Sequence, residues 1–295
     1  MQKRRRFILF LVLFVVLVIL VALIWMRQST EVPPAPDPYE GMVQVQNGFG
    51  GLMWIVPFED LETADFQADD FYPDGEFVNY SGSEFEALRG IDVSEHQREI
   101  DWASVREDGV DFAIVRAGYR GYSAGTLNED AFFRVNVEGA LANGIQIGIY
   151  FFSQAVSTAE AREEARYLLN LIEGYQIDLP VFYDWEPVSG VGETRTQDVA
   201  ENELTEFALA FCEEIDAAGY EAGVYFYRSL GYFEYRLDRL SEFVFWSAAP
   251  GEYPDFYYAH DFWQYSFTAS VKGIEVDTDL NIRFVEIPNE KEVVE

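Results

Sequence analysis

The chain has 295 residues, 49% of them hydrophobic and 17% aromatic, which supplies a sizeable core and excludes a disordered protein. Its formal net charge is -32, and all 52 acidic residues follow Arg27, so the surface repels phosphate backbones and nucleic-acid binding is excluded. A single cysteine, Cys212, excludes an internal disulfide, and only two histidines argue against a His/Cys zinc site. We expect no metal and no cofactor.

The N-terminus has the pattern of a membrane anchor. Four basic residues precede twenty apolar ones, residues 7–26, and about twenty helical residues cross a bilayer core. The basic cluster predicts that residues 1–6 stay in the cytoplasm and that the rest lies outside. A cleaved signal peptide is the alternative, but its apolar run is usually shorter, and no small-x-small cleavage site follows here. We predict a single-pass protein of the cell membrane.

Three further segments flank the main domain. Residues 27–38 are rich in proline and predict an extended linker. Residues 39–86 predict a small β appendage, because "MVQVQNGFGGLMWIV" alternates in hydrophobicity, turns at Asn47-Gly48 and resumes as a strand. The acidic stretch 59–75 within it predicts a solvated loop. Residues 288–295 predict an acidic tail.

Residues 87–287 predict an α/β domain with eight strands. Five strands are each followed by a helical stretch, and three more strands come in quick succession. Such a run predicts a parallel sheet closed into a barrel, with the last three strands closing it irregularly. The eight strand segments are "RGIDVSE", "DFAIVRAGY", "IQIGIYFFS", "LPVFYDWE", "EAGVYFY", "EFVFWSA", "YYAHDFWQYS" and "TDLNIRF".

Acidic residues recur where these strands meet one rim. Asp92 ends the first strand, and Asp184 and Glu186 end the fourth, about 6.6 Å apart on one face at about 3.3 Å per residue. Asp277 and Asp279 begin the last strand and share the rim if that strand runs antiparallel. Two close carboxyls raise the pKa of one, which suits a general acid in glycoside cleavage. An isolated D-x-E is also compatible with a helix cap and a surface salt bridge.

Six motifs in this order resemble the glycoside hydrolase family 25 lysozymes, in particular those of Gram-positive bacteria. The resemblance spans residues 88–284. It implies a modified TIM-type (β/α)5β3 barrel and a muramidase that cleaves the β-1,4 bond between N-acetylmuramic acid and N-acetylglucosamine. The motifs are "RGIDVSEHQREIDW", "GVDFAIVRAGYRG", "IGIYFFSQAVSTAEAREEA", "LPVFYDWEP", "WQYS" and "DLN".

The resemblance also implies roles for the acids. Glu186 matches the general acid of the family, and Asp184 matches the aspartate thought to orient or stabilise the acetamido group of the substrate. Asp92 matches an aspartate of the pocket. The last pocket aspartate is Asp279 or Asp277, and the D-x-N form favours Asp279. Whether a carboxylate or the acetamido oxygen acts as nucleophile stays open.

Three aromatic residues, Tyr150, Trp246 and Trp263, resemble glycan-contacting residues of the family, with ordinary barrel packing as the alternative. Asp277 is a further candidate for substrate contact. The expected partners are peptidoglycan glycan strands and the cytoplasmic membrane, and we expect a monomer. Near Ala249 the sequence lacks a tyrosine expected from the family.

Two other functions fit part of the pattern. A catalytically silent, membrane-tethered glycan-binding module would keep the aromatic groove and lose an acid. A chitinase-like enzyme would show D-x-x-D-x-D-x-E, whereas Phe182 stands two residues before Asp184, where that pattern needs an aspartate.

Overall fold

The computed structural model describes residues 2–28 and 37–287. They divide into two compact units, Met1–Gly41 and Met42–Glu295. The predicted tail 288–295 and residues 29–36 of the predicted linker lie outside the described residues. In the first unit, helix α1 (Gln2–Gln28) is long and apolar enough to cross a membrane, a property that it shares with signal sequences.

The second unit begins with the predicted hairpin. Strand β1 (Val43–Gln46) pairs antiparallel with β2 (Leu52–Ile55), which confirms that prediction. The connection is a loop rather than a tight turn: Asn47 N donates a 2.9 Å hydrogen bond to Gly51 O. The Asn47 side chain organises this loop by accepting from two backbone amides inside it.

A second hairpin was not predicted. Strand β3 (Phe71–Asp74) pairs with β4 (Phe77–Tyr80). The solvated-loop prediction for residues 59–75 is therefore wrong for its last part. The reason is that Phe66 and Phe71 pack against the barrel. Their rings lie 4.4 and 6.1 Å, respectively, from the ring of Phe284. Of the two acidic residues between them, Asp69 is exposed and Asp70 is half-buried.

Eight strands form a closed barrel. The first seven in the ring run parallel, and β13 runs antiparallel to both of its neighbours, β12 and β5. This confirms that the start of the last strand shares a rim with the ends of the others. The strand β7 lies outside the ring, on the edge of β6. The strands are β5 (Phe85–Val93), β6 (Phe112–Arg120), β7 (Leu127–Glu129), β8 (Gln146–Ser153), β9 (Val181–Trp185), β10 (Ala222–Tyr227), β11 (Val244–Ala248), β12 (Phe262–Ala269) and β13 (Thr278–Glu286).

Helices cover the outside of the barrel at its first four crossovers. The fifth crossover, predicted as a short helix, contains a π-helical turn, Leu230–Glu234, and a 3₁₀ turn, Leu237–Arg239. Between β11 and β13 the described chain has no helix. The four helices are α2 (Trp102–Glu107), α3 (Phe133–Ala142), α4 (Thr158–Ile172) and α5 (Glu201–Ala217).

Side chains alternate between the two faces of each strand, and this produces two hydrophobic cores, one beneath the helices and one inside the barrel. In β9, Val181, Tyr183 and Trp185 pack in the core beneath the helices. Phe182 points the other way, into a cluster that fills the barrel interior with residues from β6, β8, β10, β11 and β12. The interior is therefore a packed plug rather than a pore, and the inward position after Phe182 in β9, Asp184, lies above this plug.

Candidate active site

A cavity of about 360 Å³ opens at the rim where the parallel strands end. All five acids singled out in the sequence line it: they come from β5, from β9 and the residue after it, and from β13 and the residue before it. The lining residues are Asp92, Ser94, His96, Gln97, Arg116, Tyr150, Phe152, Asp184, Glu186, Tyr225, Trp246, Gln264, Phe267, Asp277 and Asp279.

The carboxyls of Asp184 and Glu186 lie side by side in the cavity wall, and each influences the pKa of the other. Burial is the main cause that raises the pKa of Glu186 to about 7, and the charge of Asp92 adds to it. Burial, together with the charges of Glu186 and Asp92, raises the pKa of Asp184 well above its usual range. The pair therefore retains a proton near neutral pH. Asp184 Oδ1 is buried and has no hydrogen-bond partner among the described residues, and the residue lines the cavity.

A second pair of carboxyls faces the first across the cavity. Asp92 and Asp279 lie directly opposite each other in the antiparallel ladder of β5 and β13. Burial raises the pKa of Asp92 to about 6, although hydrogen bonds from Asn281 and Gln264 oppose the shift. Burial, with the charges of Asp92 and Glu186, raises the pKa of Asp279 to about 8. The site therefore crowds four carboxyls that cannot all be ionised at neutral pH.

Two amides hold the second pair in place. Gln264 Nε2 donates to Asp92 Oδ2 at 2.7 Å and to Asp279 Oδ2 at 3.3 Å. Asn281 Nδ2 donates to the same Asp92 oxygen at 2.8 Å. No role was predicted for either amide, although the quoted motifs "WQYS" and "DLN" contain them. Asp277 lies at the mouth instead, where its backbone carbonyl accepts a 3.2 Å hydrogen bond from Gln97.

The predicted aromatic residues separate into two groups. Tyr150 and Trp246 line the cavity, and Trp246 Nε1 donates a 2.8 Å hydrogen bond to Asn281 Oδ1. Trp246 is 1% exposed, so it forms the floor of the cavity and offers little surface to a ligand. Trp263 does not line the cavity. It neighbours the inward-facing Gln264, so strand alternation turns it outward, and its Nε1 donates to Ala249 O at 2.8 Å.

Arg116 is a lining residue for which no role was predicted. Its Nε donates to Asp130 Oδ2 at 2.8 Å, and a terminal nitrogen donates to Glu95 Oε1 at 3.2 Å. Its charge favours the ionised forms of Asp184 and Tyr150, against the larger effect of their burial. The only indication of a role in the sequence was that a charged residue lies inside the otherwise apolar "VRAGY" strand.

The arrangement supplies a carboxyl whose pKa is raised to about 7 and neighbouring carboxyls, which are the groups that carry out acid-catalysed hydrolysis of an acetal. Within residues 2–28 and 37–287, no group of three or more His, Cys, Asp or Glu residues is arranged to hold a metal ion.

Comparisons with known proteins identify relatives. The sequence model of glycosyl hydrolases family 25 matches residues 91–274. The chain is 25% identical over 195 residues to the autolytic lysozyme of Clostridium acetobutylicum, covering 66% of this chain and 55% of that protein. It is 26% identical over 202 residues to lysozyme M1 of Streptomyces globisporus, covering 66% of this chain and 67% of that protein. The fold also matches the structure of the modular autolysin LytC of Streptococcus pneumoniae in complex with a synthetic peptidoglycan ligand. The TM-score is 0.58 at 27% identity, and the match covers 67% of this chain and 46% of that one. The chain thus spans about half the length of two of these relatives.

Proposed function

The chain belongs to glycosyl hydrolases family 25, and from this premise we propose that it hydrolyses peptidoglycan at the β-1,4 bond between N-acetylmuramic acid and N-acetylglucosamine. The observation that carries the proposal is that the buried carboxyls of Asp184 and Glu186 line one cavity at the open rim, and that the pKa values of both are raised. A glycosidase needs a protonated carboxyl at neutral pH, and this pair provides one.

The roles follow from position and protonation. Glu186 donates its proton to the glycosidic oxygen as the C1–O bond breaks, and water finally supplies the hydroxyl group at C1. The free Oδ1 of Asp184 accepts the N–H of the substrate acetamido group and so orients it. Asp92 and Asp279 form the opposite wall, where the negative charge of Asp92 stabilises an oxocarbenium-like transition state, while Asp279, whose pKa is raised to about 8, stays protonated near neutral pH. The nucleophile is a carboxylate or the acetamido oxygen.

We assign residues 87–287 to a modified TIM-type (β/α)5β3 barrel. Support comes from the six parallel strand pairings and the antiparallel closure by β13. Residues 39–86 are then a β appendage on this catalytic domain.

We also infer that residues 7–26 anchor the enzyme in the cytoplasmic membrane, with the catalytic domain outside. Support comes from the apolar helix α1 and the basic residues that precede its apolar run. Membrane fractions washed with alkaline carbonate would retain an anchored chain, and externally added protease would digest it in spheroplasts. Release of the chain by carbonate would contradict the anchor.

The test of activity uses the full-length chain in detergent and purified cell walls. After borohydride reduction, mass spectrometry should find reduced muramic acid rather than reduced glucosamine at the new ends. Glu186→Gln should lower the rate about 10²- to 10⁴-fold. The matched control Glu173→Gln, an exposed position after α4, should leave it unchanged. Wall binding without any new reducing ends would indicate the alternative, a catalytically silent glycan-binding module.

A further inference from the structure

A second cavity, of about 750 Å³, lies beside the catalytic cavity. Gln97 lines both, so the two share a wall. Its sides are the turn after β5 and the loop before β13, which two hydrogen bonds hold together. Asp101 N donates to Gly273 O at 2.9 Å, and the Gln97 side chain donates to Asp277 O at 3.2 Å. The cavity is therefore a fixed extension of the catalytic cleft.

One residue of this cavity has a strained backbone. Arg98 has φ 59°, and it is the one non-glycine residue with positive φ among the described residues. L-residues other than asparagine and aspartate rarely adopt this region, because Cβ crowds the backbone. Arg98 ends the 3₁₀ turn Glu95–Gln97, and strained backbone of this kind concentrates at functional sites.

The guanidinium of Arg98 is also unusual in having no acidic partner. It is exposed and forms no ion pair or side-chain hydrogen bond within the part of the chain that the structure describes. The other arginines from Arg89 to Arg239 each pair with a carboxylate, and Arg283 lies over the ring of Phe262. In so acidic a chain, an unneutralised guanidinium beside the cleft is available to an anionic ligand.

The other residues of the cavity narrow the class of ligand. Glu99 and Glu275 line it, are exposed, and have no ion pair among the described residues. Phe132 and Ile274 supply apolar surface. A ligand that suits this lining carries a carboxylate, an amino group and small apolar side chains, which is the chemistry of a short peptide rather than of a neutral sugar.

We propose that this cavity binds the peptide stem of peptidoglycan, with a stem carboxylate on Arg98 and a stem amino group on Glu275 or Glu99. The stem is attached to muramic acid, next to the bond cleaved, and Gln97 lines both cavities, so a stem that leaves the catalytic cavity on this side enters the second cavity. The inference rests on the proposed function and adds a selectivity: stem-bearing glycan binds more tightly than bare glycan. Bidentate pairing of guanidinium and carboxylate supplies the discrimination.

The experiment measures binding in the full-length Glu186→Gln chain in detergent, so that turnover does not interfere. The probes are oligosaccharides that carry tetrapeptide stems and the same oligosaccharides after an amidase has removed the stems. Isothermal titration should give a Kd about tenfold lower with stems. A further Arg98→Gly substitution should remove that preference, leave stem-free binding unchanged, and raise the Tm through relief of strain. Arg98→Lys should keep part of the preference for stem-bearing oligosaccharides. The control Arg166→Ala, on the exposed face of α4, should keep the whole preference.

Two results would overturn the inference: equal affinity of the parent chain for both probes, or a preference that survives Arg98→Gly. A purely structural role for Arg98 would change the Tm and leave the ratio of the two Kd values unchanged. Failure of the proposed hydrolysis is seen separately, as the absence of new reducing ends with the unsubstituted chain. If that occurs while Arg98→Gly removes the preference, the stem site stands and the activity does not.

Discussion

The side-chain amide of Gln154 donates a 2.6 Å hydrogen bond to the backbone carbonyl of Glu186. Gln154 is fully buried and directly follows β8, and its Oε1 accepts a 3.4 Å hydrogen bond from Thr196 Oγ1. One amide therefore joins the end of β8, the residue after β9 and the loop beyond it. The proposed proton donor lies just outside a regular strand, and this contact fixes its backbone.

We predict that Gln154→Leu lowers kcat about tenfold or more, with a smaller effect on KM. Loss of the amide leaves the Glu186 backbone free to shift, and small displacements of a catalytic group are costly in rate. The unfolding free energy should fall by about 1–3 kcal/mol, because buried polar groups lose their partner. Steady-state kinetics and urea unfolding test both effects. Gln176→Leu removes an exposed amide and is the control. An unchanged kcat in Gln154→Leu would show that the contact does not position Glu186.

The charge of Asp92 should set part of the pH dependence of the reaction. Burial chiefly raises the pKa of Glu186 to about 7, and Asp92 raises it further. Asp92→Asn removes that charge, so the pKa of Glu186 should fall but stay above its ordinary value. Activity that requires protonated Glu186 is lost as pH rises through this pKa. The pH at which kcat/KM falls on the alkaline side should therefore be lower in this variant, even if the maximum value of kcat/KM also changes.

Asp277→Asn is the control for that shift, because Asp277 is exposed at the mouth and does not contribute to the pKa of Glu186. Its alkaline limb should coincide with that of the unsubstituted chain. An unmoved limb in Asp92→Asn would mean that another group limits the reaction at high pH.

Asp279 should make the fold less stable at alkaline pH. Burial and neighbouring acids raise its pKa in the folded chain to about 8, against about 3.9 in an unfolded one. The folded state therefore binds this proton more tightly, and the associated stability is complete below about pH 4 and lost as pH rises through about 8. Asp279→Asn should unfold at higher urea than the unsubstituted chain at pH 8.5, with little difference at pH 4. Parallel stability curves across this range would contradict the raised pKa.

The sequence predicts the framework of the site better than its details. Eight strand segments and the two-residue spacing of Asp184 and Glu186 depend on local periodicity, which sequence shows directly. The donors Gln264 and Asn281 act across strands far apart in sequence, so their role depends on the register of the ladder. Trp263 is the clearest case that the sequence did not resolve. Neighbouring residues of a strand point to opposite faces of the sheet, so a difference of one position decides whether a ring faces the ligand cavity or the core beneath the helices.

The unpredicted hairpin of β3 and β4 leads to a final prediction about how residues 42–86 and the barrel unfold. The Phe71 ring lies 5.7 Å from that of Trp263 and 6.1 Å from that of Phe284, both on barrel strands. Phe71→Ala should lower the unfolding free energy by about 3–5 kcal/mol and keep a single transition, since the cavity lies in a shared core. Catalysis well below the Tm should be unchanged, because none of these rings lines the catalytic cavity. The neighbouring Tyr72→Ala, on the exposed face of the same strand, should cost about 0.5 kcal/mol or less. If Phe71→Ala instead produces a separate early transition while activity persists through it, residues 42–86 are an appendage that unfolds independently of the barrel.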